Sequence, residues 1–290
     1  MTPRRSGYSL LEAIIVLGVG GMVLALCGAV GFHHQRFHRD IAAVVERSEQ
    51  LEQVVSLLPI SLRSLSPSLG DIAPGGARDT SLQFRGTIAS AVVCDSVQQG
   101  ALLAPALESP TLSAFASRPE VHDTAWILEP GSDAEHWQPR SITAVADTSI
   151  VCLLGGIAPF GLVPRSAMIL RWNGPASSTG AVLRVTRPWR YSVYRAADGF
   201  WYFGAKEWSP ASGRFNTIQP VAGPLLAASY GLRFQFFDSA GIGIPSGAAN
   251  TAQIARIDVT LTTDSVLPSG GRAGIRARRG MTTSVALRNR

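Results

Sequence analysis

Chemistry-bearing motifs are what this chain of 290 residues lacks. It has no Gly-x-Ser-x-Gly elbow, no His-Glu-x-x-His, no glycine-rich phosphate loop before a helix and no Cys-x-x-Cys. Histidine is scarce, and three of the five (His33, His34 and His38) crowd one short stretch. That leaves His122 and His136, both in or beside apparent loops and neither with a paired nucleophile legible in sequence. No catalytic residue, metal site or cofactor is expected, and the chain does not read as an enzyme. Charge is also thin: 16% of residues are charged against 46% apolar. That balance excludes a disordered chain and fits a folded domain with an anchor. No internal repeat is visible.

The N-terminus is where information concentrates. A short leader carries Arg4 and Arg5 and ends at Gly7; Tyr8-Ser-Leu-Leu-Glu12 comes next, then an uncharged run from Ala13 to Phe32. Twenty such residues as a helix span about 30 Å, the thickness of a hydrocarbon core. The leading arginines put the N-terminus on the cytoplasmic side and the bulk of the chain outside. A secretory signal would have a shorter apolar region and a small-residue cleavage site. A lipoprotein signal at Cys27 would want a small residue where Leu26 stands. A plain signal anchor leaves Gly7 and Glu12 without a role. Glu12 separates these readings, because a carboxylate beside hydrocarbon costs a few kcal/mol (about 3) unless it snorkels or finds a partner.

The residues Gly7-Tyr-Ser-Leu-Leu-Glu12 resemble the class III signal of type IV prepilins and type II secretion pseudopilins. The resemblance implies that prepilin peptidase cuts between Gly7 and Tyr8 and methylates the new amino group of Tyr8. It implies that Glu12 docks onto the N-terminal amine of a neighbouring subunit. An ammonium and a carboxylate in low dielectric attract strongly and offset each other's desolvation. Tyr8 departs from the phenylalanine usual at that position, and the span lacks a proline common in major pilins.

Beyond the span, Ile41, Val44, Val45, Ser48, Leu51, Val55, Leu58, Leu62 and Leu65 recur at spacings of three and four, the stripe of an amphipathic helix. One helix is expected from near Tyr8 to near Leu58, about 75 Å at the standard rise, with Pro59 kinking or ending it. His34 and His38 lie one turn apart on it. No third ligand is near, so they read as interfacial or solvated. Gly21, Ala25 and Ala29 form a small-residue line that permits close helix packing in a membrane, or arise by chance in a Gly/Ala-rich span.

From about residue 80 the texture turns to β. Strands are expected at 81–85, 91–95, 125–128, 150–154, 168–172, 181–186, 191–195, 200–205, 232–238 and 255–262, with Asp198-Gly199 as a hairpin turn. The stretches 104–124, 129–147 and 208–224 read as loops. Cys94 and Cys152 each sit in an apolar, strand-like run in the exported part, where an oxidising compartment lets them pair; two separate buried thiols are the alternative.

The runs Tyr194–Tyr202, Tyr230–Gly241 and Ala255–Leu261, with the ending Met281–Arg290, resemble the ectodomains of W-type minor pilins and, less distinctly, J-type minor pseudopilins. Residues 86–180 match neither. The resemblance implies an α+β, pilin-like fold: a long N-terminal helix packed on a mainly antiparallel β-sheet, near a filament tip. The expected organisation is a cleaved leader (1–7), a transmembrane part of the helix (8–32), an exposed amphipathic part (33–65) and a β-rich ectodomain (66–290). That ectodomain includes a basic segment (272–279) and a final strand (281–288). The implied partners are prepilin peptidase, other pilins or pseudopilins in a hetero-oligomeric filament, an inner-membrane assembly platform and membrane lipid. The implied setting is a bacterial inner membrane with a periplasmic ectodomain, then a pilus or pseudopilus.

Two basic features are left over. Six arginines crowd the chain after Asp264, the last acidic residue, and read as a solvated tail. Arg187, Trp189, Arg190 and Tyr191 belong to an arginine-aromatic belt able to stack on single-stranded nucleic acid. Alternate strand residues face opposite ways, so core packing is the stronger expectation for the belt, with an adhesin or DNA-binding module as the runner-up.

Overall fold

The computed structural model describes residues 10–103, 113–130, 136–149, 167–267 and 275–287. The class is α+β: a single long α-helix, α1 (Leu10–Arg63), precedes fifteen described strands. The chain divides into two compact units, Met1–Gln50 with Asp264–Arg278, and Leu51–Thr263 with Arg279–Arg290.

In the first unit, the described large apolar side chains of α1 from Leu10 to Phe32 are 53–81% exposed. A candidate membrane span covers Ile14–Arg39, seven residues beyond Phe32 at its C-terminal end. Ile41 and Val45, expected on the packed stripe, are exposed.

In the second unit the stripe becomes an interior face. Leu51, Val54, Leu58 and Leu62 are buried, as is Leu65 just past the helix end. Each is worth about 2 kcal/mol of burial. Leu57 and Ile60, on the opposite side, stay exposed. The helix runs through Pro59 to Arg63, past the expected stop near Leu58. A mid-helix proline forfeits one backbone bond, a penalty of about 3 kcal/mol, and the buried Leu58 and Leu62 on either side offset it.

The strands are β1 (Ile72–Arg78), β2 (Ser81–Val97), β3 (Gly100–Leu103), β4 (Ser113–Phe115), β5 (Thr124–Leu128), β6 (Gln138–Thr148), β7 (Ala167–Trp172), β8 (Val182–Arg195), β9 (Trp201–Ser209), β10 (Arg214–Phe215), β11 (Gln219–Leu225), β12 (Leu232–Phe237), β13 (Gly243–Ile244), β14 (Arg256–Leu267) and β15 (Ile275–Ala286). Two sheets result. The smaller runs β13-β12-β14-β15. Its register pairs Leu232 with Leu261, Phe234 with Val259 and Phe236 with Ile257, and all six are buried. Their neighbours Arg233 and Gln235 are exposed, so the alternation legible in 255–262 is the alternation of a half-buried sheet. Together with α1, β1, the start of β2 and Phe203 of β9, this sheet encloses one core.

The larger sheet closes on itself. β2 pairs with β3, β3 with β7, β7 with β6, β6 with β5, β5 with β8, and β8 returns to β2. Every pairing is antiparallel, so the circuit is a six-stranded barrel. Its interior is a second core of Ile88, Ala89, Ala91, Val93, Ala101, Leu103, Ala125, Ile127, Ile142, Met168, Leu170, Trp172, Leu183 and Val185. A barrel this narrow is filled by its own side chains. Its strands β3, β5, β6 and β7 and the second part of β2 lie within the 86–180 stretch.

β2 and β8 run through both cores. Their mutual register shifts between Thr87 and Ala89 of β2, a bulge. Before it, the even residues Leu82 and Phe84 face the helix core; after it, the odd residues Ala89, Ala91 and Val93 face the barrel. One extra residue shifts the inward positions of β2 from even to odd, so the face that lies opposite the odd residues of β8 is kept and borders the two interiors in turn.

Several expected strands are longer or merged. The runs 81–85 and 91–95 are one strand, as are 181–186 and 191–195. The stretches 129–147 and 208–224, expected as loops, contain β6, β10 and β11. The final strand begins at Ile275, six residues earlier than expected, and takes in part of the basic segment. The run 150–154 lies outside the described residues.

Candidate functional site

Glu12 is the third residue of α1. Its side chain, and Gly7 and Tyr8, lie outside the described residues. Beyond Glu12, α1 has no buried face across the candidate span. Such a helix leaves its apolar side chains to be covered by lipid or by other helices.

The arginine-aromatic belt divides between two faces. On β8, the odd residues Leu183, Val185, Arg187, Trp189, Tyr191 and Val193 point inward, towards the barrel first and the helix core after. The Trp189 ring lies over Gly86, where an added Cβ would come within 2.9 Å of it. Tyr191 packs between Phe84 and Phe203 at ring separations of 5.0 and 5.3 Å and donates its hydroxyl to Ser61 Oγ on α1 at 3.2 Å. Burial pushes its phenol above the ordinary tyrosine value, with the Ser61 contact opposing. Arg190 faces the other way. It donates to Gln83 Oε1 at 2.6 Å and lies 4.8 Å from the centre of the Phe215 ring. Of the four belt residues singled out in sequence, only Arg190 belongs to an outward face, with Tyr194, Tyr202 and Lys206 in register beside it.

Arg187 is buried, as the core-packing expectation for the belt has it and not as the binding alternative would. It occupies the inward position where β8 exchanges one neighbour for another: pairing with β5 stops at Thr186, and pairing with β9 starts at Trp189. The gap is filled by a guanidinium that is 6% exposed. Nε and Nη2 donate to the two oxygens of Asp123 at 2.8 and 2.7 Å, and Nη1 donates to Glu207 at 2.8 Å. Glu120 stands 3.3 Å away. The Asp123 bonds raise the Arg187 pKa above its usual value, burial opposes, and Glu207 raises it further. A second buried pair lies three residues away on the other face. Arg184 donates to Asp71 Oδ2 at 2.7 Å, to Thr87 Oγ1 at 2.6 Å and to the Ser64 carbonyl at 3.3 Å. It thereby ties the end of α1, where carbonyls lack helical partners, to the barrel strand. Asp71 also accepts the Ser66 amide at 2.7 Å. These partners are 113 and 64 residues from their arginines in sequence. The one signal available was the break in apolar alternation along 184–187.

No protein family, curated protein or solved structure matches the chain.

Cys94 is disulfide-bonded, and its expected partner Cys152 lies outside the described residues. Cys27 is free and exposed. Among the described residues, no group of three or more His, Cys, Asp or Glu is placed to hold a metal. His122 and His136 are exposed and on different segments. A polar cleft of about 400 Å³ opens beside Gly75 and Gly76, lined also by Arg78, Gln83 and Arg190. Its cations are largely engaged: Arg78 donates to the Gly75 carbonyl, and Arg190 to Gln83. Chemically these arrangements hold elements together; none pairs a nucleophile with a base.

Proposed function

We propose that the chain is a structural subunit of a type IV pilus or type II secretion pseudopilus, a minor pilin or pseudopilin near the filament tip. The observation that carries this reading is an order of features along one helix. A basic leader, Gly7, Tyr8 and Glu12 precede an apolar run, and α1 then continues without interruption from exposed apolar residues to a packed ectodomain stripe. A subunit of this kind waits in the inner membrane with its ectodomain in the periplasm. Prepilin peptidase removes residues 1–7, and Glu12 meets the methylated amine of a neighbour on the assembly platform. The adhesin or nucleic-acid reading has less support, since Arg187 and Tyr191 are consumed by the interior.

The test is the mass of the N-terminus after co-expression with prepilin peptidase. Cleavage before Tyr8 with one added methyl group is expected, and Gly7→Val is expected to abolish both. An intact Met1 end in the presence of active peptidase overturns the reading.

A further inference from the structure

The geometry points to a divalent transition-metal chelate on α1, formed by His34 and His38 with an ion of the zinc class. The two Nε2 atoms face each other at 3.3 Å across one helical turn, with ring centres 4.4 Å apart. Zinc–imidazole bonds are about 2.0–2.1 Å. Two such bonds subtending 3.3 Å enclose about 107°, close to the tetrahedral angle that zinc adopts. A 90° geometry, as in an octahedral site, would need the nitrogens about 2.9 Å apart at the same bond length. The two nitrogens therefore stand at zinc-chelating separation on a helix that fixes the spacing of their backbones, and each exposed ring turns to aim its Nε2 lone pair at the ion.

Without metal, one Nε2–H donates to the other Nε2. Binding requires both Nε2 lone pairs, so that proton moves to Nδ1 of the same ring through solvent. Both side chains are exposed, and the pair follows the uncharged run that ends at Phe32, in the C-terminal part of the candidate span Ile14–Arg39. Two coordination positions are left for water. Arg36 and Arg39 lie within a turn and repel a dication, which sets the affinity below that of a four-ligand site.

The inference is independent of pilus assembly and is tested without it. Full-length protein in detergent micelles is titrated with Zn²⁺ by calorimetry at neutral pH, beside His34→Ala, His38→Ala and, as control, His136→Ala. One equivalent is expected to bind wild type and the control alike. Either ligand variant is expected to weaken that binding by about a hundredfold, since the second nitrogen acts at the effective concentration of a short tether. Far-UV circular dichroism should show the same helix content in every variant. Wild-type affinity in both His34→Ala and His38→Ala, or no zinc binding by wild type, overturns the proposal.

Discussion

Removing the Arg187 guanidinium strands Asp123, whose carboxylate is fully buried and draws two of its hydrogen bonds from that one side chain. Breaking a buried pair from one side typically destabilises by about 3–5 kcal/mol, whereas removing both partners leaves far less damage. Arg187→Met should therefore lower the unfolding midpoint of the full chain in detergent by the larger amount, and Arg187→Met with Asp123→Asn should recover part of it. All six tryptophans lie between Trp126 and Trp208, so their fluorescence reports the unit concerned. Equal losses in the single and double variants would show that the pair is not what holds this junction. Asp198 gives a pH-dependent counterpart on the surface. Its carboxylate accepts the Phe200 amide at 2.9 Å and the Tyr202 hydroxyl at 2.7 Å, and these bonds hold its pKa below the ordinary aspartate value, the amide contributing more. A depressed folded value means the turn is supported above the unfolded pKa and loses that support as pH falls through the folded one. The protection factor of the Phe200 amide, its exchange rate relative to the intrinsic rate at the same pH, should fall at the acid end in wild type. In Asp198→Asn that acid dependence should vanish; its persistence would assign it to another group.

At the scale of elements, the barrel depends on β3 and β7 approaching closely at Gly100. A Cβ there would collide with the Leu170 carbonyl. Gly100→Ala should push the strands apart, at about 1–3 kcal/mol for overpacking, and expose the amides of Ala101 and Ile169 to exchange while leaving the β12–β14 ladder protected. Uniform loss of protection across both sheets would mean that the two cores do not open separately. The same two cores explain which elements the sequence disclosed. β12 and β14 border one interior and alternate regularly, so their extents were legible to within a few residues. β2 and β8 serve two interiors in turn. The bulge after Thr87 shifts the apolar phase of β2, and Arg187 with Pro188 interrupts that of β8, so each strand reads as two. β6 was read as a loop because much of its length is exposed, and only Ile142 is fully buried within it. The buried arginine pairs escaped for a related reason. A charge reads as a surface residue until its partner is found, and these partners come from other elements.

At the scale of the whole molecule, a β-rich part with its own interiors follows an N-terminal helix whose large apolar side chains from Leu10 to Phe32, where described, are exposed. Water is a poor environment for that helix; hydrocarbon or a bundle of like helices is a favourable one. Glu12 distinguishes the two. In a lone anchor the carboxylate is a liability of about 3 kcal/mol at mid-span, less near the headgroups, and Glu12→Ala should if anything improve insertion. In a filament the same carboxylate meets a neighbour's amine, and its loss leaves that amine desolvated and unpaired. Under the filament reading, Glu12→Ala should therefore leave membrane fractionation and removal of the leader at wild-type levels. Recovery of the subunit in sheared or periplasmic filaments should fall by at least about tenfold, the equivalent of about 1.4 kcal/mol. Glu12→Asp, which keeps the charge on a shorter stem, should retain more incorporation than alanine. If alanine and wild type were incorporated equally, the carboxylate would have no part in docking, and the exposed helix would be explained by anchoring alone.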